Sequence, residues 1–119
     1  TMGGNPLAMA AGMASFKQIN TKSFLSNVTS KGNYFLKELK KLSTNNKIKE
    51  VRGLGLILAI EFFSSRLAKK FATLCLNKGL LVLLTEKVNI RILPPLNVKK
   101  SEIDQSIKIF KSSLEDLNV

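Results

Sequence analysis

The chain has 119 residues, which suits one domain with a real hydrophobic core, and it carries a formal net charge of +11. It contains no histidine and one cysteine, which excludes Ser-His-Asp and Cys-His catalytic sites, an internal disulfide and the usual zinc and iron–sulfur sites. The eight acidic residues form no recognisable general acid and base pair, so we predict no catalytic residue and no metal ligand and expect the chain to act by binding.

The first predicted helix covers residues 6–20, with Asn5 as its N-cap and Pro6 at its first position. Thr1 and two glycines stand just before it, where a hydroxyl and unpaired backbone N–H groups favour an anion. An irregular entry into a capped helix explains the same residues. On the residues alone, both interpretations stay open.

A second helix is predicted over residues 23–42, because its apolar side chains fall on one stripe, and it ends at residues 43–46. Two strands, 48–52 and 56–62, flank Gly53-Leu54-Gly55, which indicates a hairpin with a tight bend. A dinucleotide-binding fingerprint would need a third glycine where Leu58 stands and a helix after it. We therefore reject that alternative.

A third helix is predicted to begin at Ser64 or Ser65 and to end at Gly79, which suits the left-handed conformation after a helix. Cys75 lies in its apolar face, which favours a core residue over a nucleophile. A second strand pair, 80–84 and 88–93, follows across a short loop at residues 85–87.

The last predicted helix covers residues 100–117 and begins either at a capping box of Ser101 and Asp104 or at an N-cap of Lys99. No internal repeat or linker divides the chain. The order helix, helix, strand pair, helix, strand pair, helix predicts an α+β fold, with helices packed on a small, largely antiparallel sheet.

Arg91 is the most informative residue, because it lies in an apolar strand-like run that ends at two prolines. Alternation places it near the end of the strand, on the face opposite Ile90 and Ile92. A guanidinium holds a carboxylate by two parallel hydrogen bonds, each contributing about 1.5–3 kcal/mol. We predict a carboxylate-binding role. The alternative is an arginine whose stem packs on the sheet and whose head reaches a surface carboxylate.

Three ordered segments resemble the C-terminal portion of the class III pyridoxal-phosphate aminotransferases, closest to the acetylornithine aminotransferases. Residues 1–8 resemble the family's Thr-x-Gly-Gly-Asn-Pro-Leu-Ala segment, residues 51–56 its Val-Arg-Gly-x-Gly-Leu hairpin, and residues 89–96 its Arg-x-Leu-Pro-Pro-Leu element. Their order and spacing match, and the resemblance covers the whole chain.

The resemblance implies a fold-type I subunit that works as a homodimer with pyridoxal 5′-phosphate. Residues 1–20 are then a helix at the end of the large cofactor-binding domain, and residues 21–119 are the small C-terminal α+β domain. By similarity, Thr1 reaches the cofactor phosphate of the neighbouring subunit through its hydroxyl and backbone amide. Arg91 matches the arginine that holds the α-carboxylate of the substrate.

The implied reaction moves the δ-amino group of N-acetylornithine to 2-oxoglutarate, a step of arginine biosynthesis. In the family, the Schiff-base lysine and the aspartate facing the pyridine nitrogen precede the segment that residues 1–8 match. We therefore expect a piece of a longer polypeptide, which also fits the missing initiator methionine, and we expect it to be inactive alone. Aminotransferases for ornithine, succinyldiaminopimelate and 4-aminobutyrate share these motifs and remain alternatives.

The basic composition leaves one alternative from another class, a non-enzymatic domain that binds anionic polymers through its lysines. The lysines are scattered along helical segments, which is typical of solvated helix faces, so we predict no nucleic-acid partner. No apolar run approaches the length of a membrane span and no signal peptide is recognisable. We expect a cytoplasmic protein without a membrane partner.

Overall fold

The computed structural model describes residues 1–44 and 46–117, so Asn45 of the predicted helix end at 43–46, and residues 118–119 of the predicted small domain, lie outside the described residues. Within the described ranges, four helices and four strands give the predicted α+β fold. In chain order they are α1 Pro6–Ile19, α2 Lys22–Leu42, β1 Ile48–Leu54, β2 Ile57–Phe62, α3 Ser65–Asn77, β3 Leu83–Thr85, β4 Asn89–Ile92 and α4 Lys100–Glu115.

The sheet has the strand order β1-β2-β4-β3, and every neighbouring pair is antiparallel. Two hairpins, β1–β2 and β3–β4, therefore join through the central pair of β2 and β4. Helices α2 and α3 pack on the sheet, and α4 packs on both of them. These three helices cover one face of the sheet, because its apolar side chains must be buried away from water.

The core between the sheet and the helices is built around the ring of Phe71 in α3. Its centroid lies 5.0 Å from that of Phe62 in β2 and 5.8 Å from that of Phe110 in α4. The ring of Phe110 lies 6.5 Å from that of Phe35 in α2. These rings join four elements at distances that suit aromatic pairs. Cys75 is fully buried in the same core, which confirms it as a core residue.

Helix α1 stands apart from this core, since none of its residues is buried. Its N-cap is confirmed, because the side chain of Asn5 accepts the N–H of Ala8 at 2.9 Å. Large apolar side chains remain open to solvent along its length, including Leu7 at 81% and Phe16 at 60% exposure. None of the helices in the described ranges is long and apolar enough to cross a membrane.

The bend of the first hairpin lies later than predicted. Gly53 and Leu54 belong to β1, and the turn is formed by Gly55 and Leu56. Leu56 is 3% exposed, so a residue that we assigned to a strand instead anchors the turn in the core. Gly53 serves the packing of the hairpin, because an added Cβ there would lie 2.6 Å from the carbonyl oxygen of Ile57.

The strand predicted at residues 80–84 is shorter and later, since β3 covers only Leu83–Thr85. The preceding residues complete the end of α3 instead. Gly79 takes the left-handed conformation with φ +83, as predicted, and the N–H of Leu80 bonds to the carbonyl oxygen of Cys75 at 2.8 Å. A backbone group used to cap a helix cannot also pair in the sheet.

The start of α4 decides between the two predicted caps in favour of Lys99. Glu102 accepts the backbone N–H of Lys99 at 2.7 Å, and the capping box of Ser101 and Asp104 is wrong. The carboxylate of Asp104 instead accepts a hydrogen bond from the hydroxyl of Tyr34 in α2 at 2.5 Å, which is a tertiary contact. The helix ends at Glu115, two residues before the predicted end at 117.

We expect Gly32→Ala to destabilise the protein by about 1–3 kcal/mol, because an added Cβ would overlap the backbone of Gly55, whose Cα would be only 2.8 Å away. Urea unfolding of the 119-residue chain, followed by circular dichroism, measures the change. Gly12→Ala in α1 is the matched control, since a Cβ there meets nothing within 4 Å, and it should stabilise the chain slightly. Equal stability of Gly32→Ala and the unchanged chain would contradict the close approach of α2 to the turn.

Candidate functional site

The sheet face opposite the core, here called the open face, carries two rows of mostly polar side chains across the strands. In one row Arg52 of β1, Ala59 of β2 and Arg91 of β4 stand opposite one another. The neighbouring row, two residues along each strand, consists of Glu50, Glu61, Asn89 and Thr85. Residues opposite each other in an antiparallel sheet point to the same face, so both rows share one surface.

A groove of about 470 Å³ lies on the open face between Arg52 and Arg91 and is here called the Arg91 groove. The small side chain of Ala59 separates the two guanidinium groups. Strands spaced about 4.8 Å apart place the Cα atoms of the two arginines about 10 Å apart. The lining also includes residues of the β3–β4 hairpin and exposed apolar side chains: Thr85, Glu86, Asn89, Leu54 and Ile57.

Arg52 is held at one side of the groove by carboxylates. Its Nη1 donates to Glu61 at 2.7 Å and to Glu50 at 3.1 Å, and its Nη2 donates to the amide oxygen of Asn89 at 2.9 Å. The hydrogen bond that Arg52 donates to Glu61, helped by the charge of Glu50 and opposed by desolvation, raises the pKa of Arg52 above its usual value. The charge of Arg52 is therefore largely compensated within the sheet.

Glu61 is the shared partner of two cations. Lys49 donates to one carboxylate oxygen at 2.6 Å and Arg52 to the other at 2.7 Å, and the Glu61 side chain is only 15% exposed. The hydrogen bond from Lys49, followed by that from Arg52, holds the pKa of the Glu61 carboxyl below its ordinary value of 4.5. Glu61 thus stays ionised and fixes both cations on the open face.

Arg91 differs from Arg52 because its side chain forms no ion pair or hydrogen bond with any residue in the described ranges. It is exposed, while its strand neighbours Ile90 and Ile92 are buried, as the alternation predicted. The alternative interpretation placed its head on a surface carboxylate, and no such partner is found within residues 1–44 and 46–117. The one carboxylate that lines the groove, Glu86, accepts from Asn89 instead. A guanidinium that no carboxylate pairs with is suited to an anionic ligand.

From the sequence we did not single out the polar residues that accompany Arg91 on the open face, namely Arg52, Glu61, Glu86 and Asn89. Asn89 lies on the same strand face as Arg91, yet it is only 6% exposed, and its amide bonds to Arg52 and Glu86. The available signal was the spacing of Glu50 and Arg52 and of Ala59 and Glu61, which puts each pair on one strand face. That spacing could not show which strands are neighbours.

The segment before α1 offers part of an anion site, apart from the Arg91 groove. Thr1 is exposed, and its hydroxyl has no hydrogen-bond partner among the described residues. An added Cβ at Gly3 or Gly4 would meet nothing within 4 Å, so a ligand can approach the backbone closely there. Thr1 does not line the groove, so the structure does not bring the two predicted site residues together in one chain.

The chemistry of the site is limited to binding and orientation. No lysine lines the Arg91 groove. Across the described part of the chain, no group of three or more cysteine or acidic residues is placed to hold a metal ion. A second cavity of about 410 Å³, between α4 and the loop after β4, has Glu102 as its one charged lining residue and is mostly apolar. The unpaired cation thus makes the Arg91 groove the stronger candidate site.

The family model for aminotransferase class-III matches residues 1–114. The chain belongs to the class III aminotransferases. One relative is the mitochondrial acetylornithine aminotransferase of Alnus glutinosa, which is 39% identical over 120 residues, covering 99% of this chain and 26% of the relative. Another is ornithine aminotransferase 1 of Staphylococcus saprophyticus, which is 38% identical and covers 97% of this chain and 28% of the relative.

The fold of this class III aminotransferase chain is also that of solved structures. The acetylornithine aminotransferase of Elizabethkingia anophelis matches with a TM-score of 0.88 and 30% identity, over 98% of this chain and 31% of that one. The chain thus spans less than a third of the length of these relatives. Membership of the family favours the enzymatic interpretation over a non-enzymatic basic domain.

Class III aminotransferases generally depend on pyridoxal 5′-phosphate, and the residues of this chain fit part of such a site. The exposed Thr1 hydroxyl and the open backbone at Gly3 and Gly4 suit a phosphate group. The covalent partner that the cofactor needs is not supplied by the groove, since no lysine lines it. The residues therefore suit a phosphate group near Thr1 and a carboxylate near Arg91.

The lowered pKa of Glu61 predicts a contribution to stability that depends on pH. The contribution is present above the unfolded pKa near 4.5 and is lost as the pH falls through the lower folded pKa. We expect Glu61→Gln to weaken the protein at about pH 7 and to reduce its further loss of stability on acidification to about pH 3. Urea unfolding at several pH values measures both effects.

Glu115→Gln controls for the change in net charge, because Glu115 is exposed and forms no ion pair in the described part of the chain. An acid profile of Glu61→Gln that coincides with that of the unchanged protein would show that the contacts of Glu61 with Lys49 and Arg52 do not stabilise the fold.

Proposed function

We propose that this chain is the C-terminal part of an aminotransferase that moves the δ-amino group of N-acetylornithine to 2-oxoglutarate, with pyridoxal 5′-phosphate as cofactor. The proposal depends mainly on Arg91, whose exposed guanidinium lies in a groove and has no carboxylate partner among the described residues. The chain that presents it is a class III aminotransferase chain. The relatives named acetylornithine aminotransferase support this amino donor over the alternatives.

Arg91 binds and orients the substrate. Two parallel hydrogen bonds from its guanidinium hold the α-carboxylate in one plane, which fixes the direction of the substrate chain relative to the sheet. The exposed apolar side chains of Leu54 and Ile57 also line the groove and offer apolar surface beside that contact. Arg52 does not compete for the carboxylate, because Glu61 and Glu50 already compensate its charge.

Thr1 binds the phosphate of the cofactor through its hydroxyl and backbone amide, in the neighbouring subunit of a homodimer. The separation of Thr1 from the Arg91 groove within one chain supports this arrangement. When bound, pyridoxal 5′-phosphate supplies the electron sink that accepts charge from the carbon next to the substrate amine.

Residues 1–20 form the last helix of the large domain, and residues 21–119 form the small domain. Support comes from α1, none of whose residues is buried and whose large apolar side chains are exposed, as expected of a helix that packs on another part of the protein. The enzyme acts in arginine biosynthesis in the cytoplasm. The assignment to arginine biosynthesis depends on the substrate, so another amino donor would change the pathway.

The lysine that binds the cofactor lies outside these 119 residues, and the chain alone is inactive. The lining of the Arg91 groove supports this, since it contains no lysine. We expect residues 1–119 to form no glutamate from 2-oxoglutarate with any amino donor when pyridoxal 5′-phosphate is added.

The complete polypeptide that contains this sequence should form glutamate from 2-oxoglutarate, with kcat/KM higher for N-acetylornithine than for ornithine, succinyldiaminopimelate or 4-aminobutyrate. A coupled assay of glutamate, with added pyridoxal 5′-phosphate, measures all four donors. A preference for ornithine would keep the family and change the substrate and the pathway. No glutamate from any donor would overturn the proposed function.

In the complete enzyme, Arg91→Lys should raise KM for N-acetylornithine and for 2-oxoglutarate by about 10- to 100-fold, because an ammonium cannot make two parallel bonds to a carboxylate. Steady-state kinetics with each substrate varied in turn gives the two values. Arg66→Lys is the matched control, since Arg66 is exposed on α3 and does not line the groove. An unchanged KM in Arg91→Lys would remove Arg91 from the site.

A further inference from the structure

Asn89 is the one residue of the open-face rows that is nearly fully buried, with 6% of its surface exposed. Its amide has two side-chain partners of opposite character. The oxygen accepts from Nη2 of Arg52 at 2.9 Å, and the nitrogen donates to a carboxylate oxygen of Glu86 at 3.0 Å. A guanidinium only donates and a carboxylate only accepts, so this amide orientation satisfies both partners.

The amide of Asn89 thereby ties together parts of the sheet that are separated along the chain. Arg52 lies on β1, Asn89 begins β4, and Glu86 lies in the turn between β3 and β4. The bond to Arg52 spans β2 and joins β1 to β4 without using the backbone ladder. The side chains of residues 52 and 89 are thus held together on the open face.

The turn that Glu86 belongs to needs such support. Glu86 and Lys87 take positive φ angles of 50 and 67, which side chains with a Cβ rarely adopt. A turn with two successive residues in this region is held by its surroundings rather than by local preference. The hydrogen bond from Asn89 to Glu86 and that from the Thr85 hydroxyl to the Asn89 carbonyl, at 3.4 Å, close this turn onto the start of β4.

Arg91 is two residues after Asn89 on the same strand face, opposite Ala59. No described side chain holds its guanidinium, so its direction depends on the backbone of β4 and on the walls of the groove. We propose that Asn89 is a positioning residue, whose amide bridges Arg52 and Glu86 and so fixes the start of β4 at the orientation that presents Arg91 to a substrate carboxylate. This inference rests on the proposed function of Arg91.

The test uses the complete enzyme and reverses the polarity of one hydrogen bond. Asn89→Asp keeps the acceptor for Arg52 but sets a carboxylate against that of Glu86, and we expect KM for both carboxylate substrates to rise about fivefold or more, with kcat within about twofold. The double variant Asn89→Asp with Glu86→Gln restores a donor opposite an acceptor at unchanged net charge. It should return both KM values to within about twofold of the unchanged enzyme.

Asn33→Asp is the matched control for the same change of side chain, because Asn33 is exposed on α2 and does not line the groove, and it should change KM by no more than about twofold. If Asn89 had a purely structural role, Asn89→Asp would lower stability without raising KM selectively over kcat. Thermal unfolding of every variant measures the stability. The double variant keeps the test decisive if Asn89→Asp does not fold. An elevated KM in a folded double variant would overturn the proposal.

Combination with Arg91→Lys separates the failure of this proposal from failure of the proposed function. If Asn89 acts through Arg91, Asn89→Asp should raise KM no further in the Arg91→Lys background. Multiplicative effects would overturn the positioning role and leave Arg91 as the substrate-binding residue. An unchanged KM in Arg91→Lys alone, or no turnover by the unchanged enzyme, would overturn both.

Discussion

The register between β2 and β4 is the constraint on which the site depends. Leu58 and Ile60 of β2 stand opposite Ile92 and Ile90 of β4 on the face that the helices cover, and all four are buried. Because side chains alternate with a period of two, a slip of one residue would turn this apolar set to solvent and drive Arg91 into the core. The cost of burying an unpaired guanidinium makes that alternative untenable, so the core itself fixes the arginine on the open face.

The open face uses its charges unequally. Arg52 shares Glu61 with Lys49 and also reaches Glu50, so these cations and carboxylates compensate one another close to the sheet. Arg91, about 10 Å away by the spacing of the strands, lacks a carboxylate among the described residues. One face therefore holds a guanidinium that is paired within the sheet and a guanidinium that no described carboxylate pairs with. The chemical difference lies in the neighbours, since the two side chains are identical.

The rest of the fold serves this arrangement from the opposite side. The rings of Phe35, Phe62, Phe71 and Phe110 join α2, β2, α3 and α4 into one core, and the close contact of Gly32 with Gly55 seats α2 on the first hairpin. Helix α1 takes no part in that core. Its exposed apolar surface, and a chain that covers less than a third of its relatives, are consistent with a domain that packs against further protein.

The sequence by itself determined the helices and strands and the faces of the strands, and it drew attention to Arg91 and Thr1. Periodicity and caps act within a few residues, so the helices, the alternation around Arg91 and the helix end at Gly79 could be read directly. The same local view misplaced the first turn, lengthened β3 and could not decide between two caps for α4, of which only the one at Lys99 forms.

Only the tertiary structure decided the strand order and the partners of each charge. Arg52 and Asn89 are 37 residues apart in the chain, and their hydrogen bond exists because β2 lies between their strands in one particular register. Asp104 was one of two candidates for the cap of α4, but its carboxylate accepts a hydrogen bond from Tyr34, which is 70 residues away. Such contacts depend on packing across the whole sheet and its helices, and no local pattern of residues encodes them.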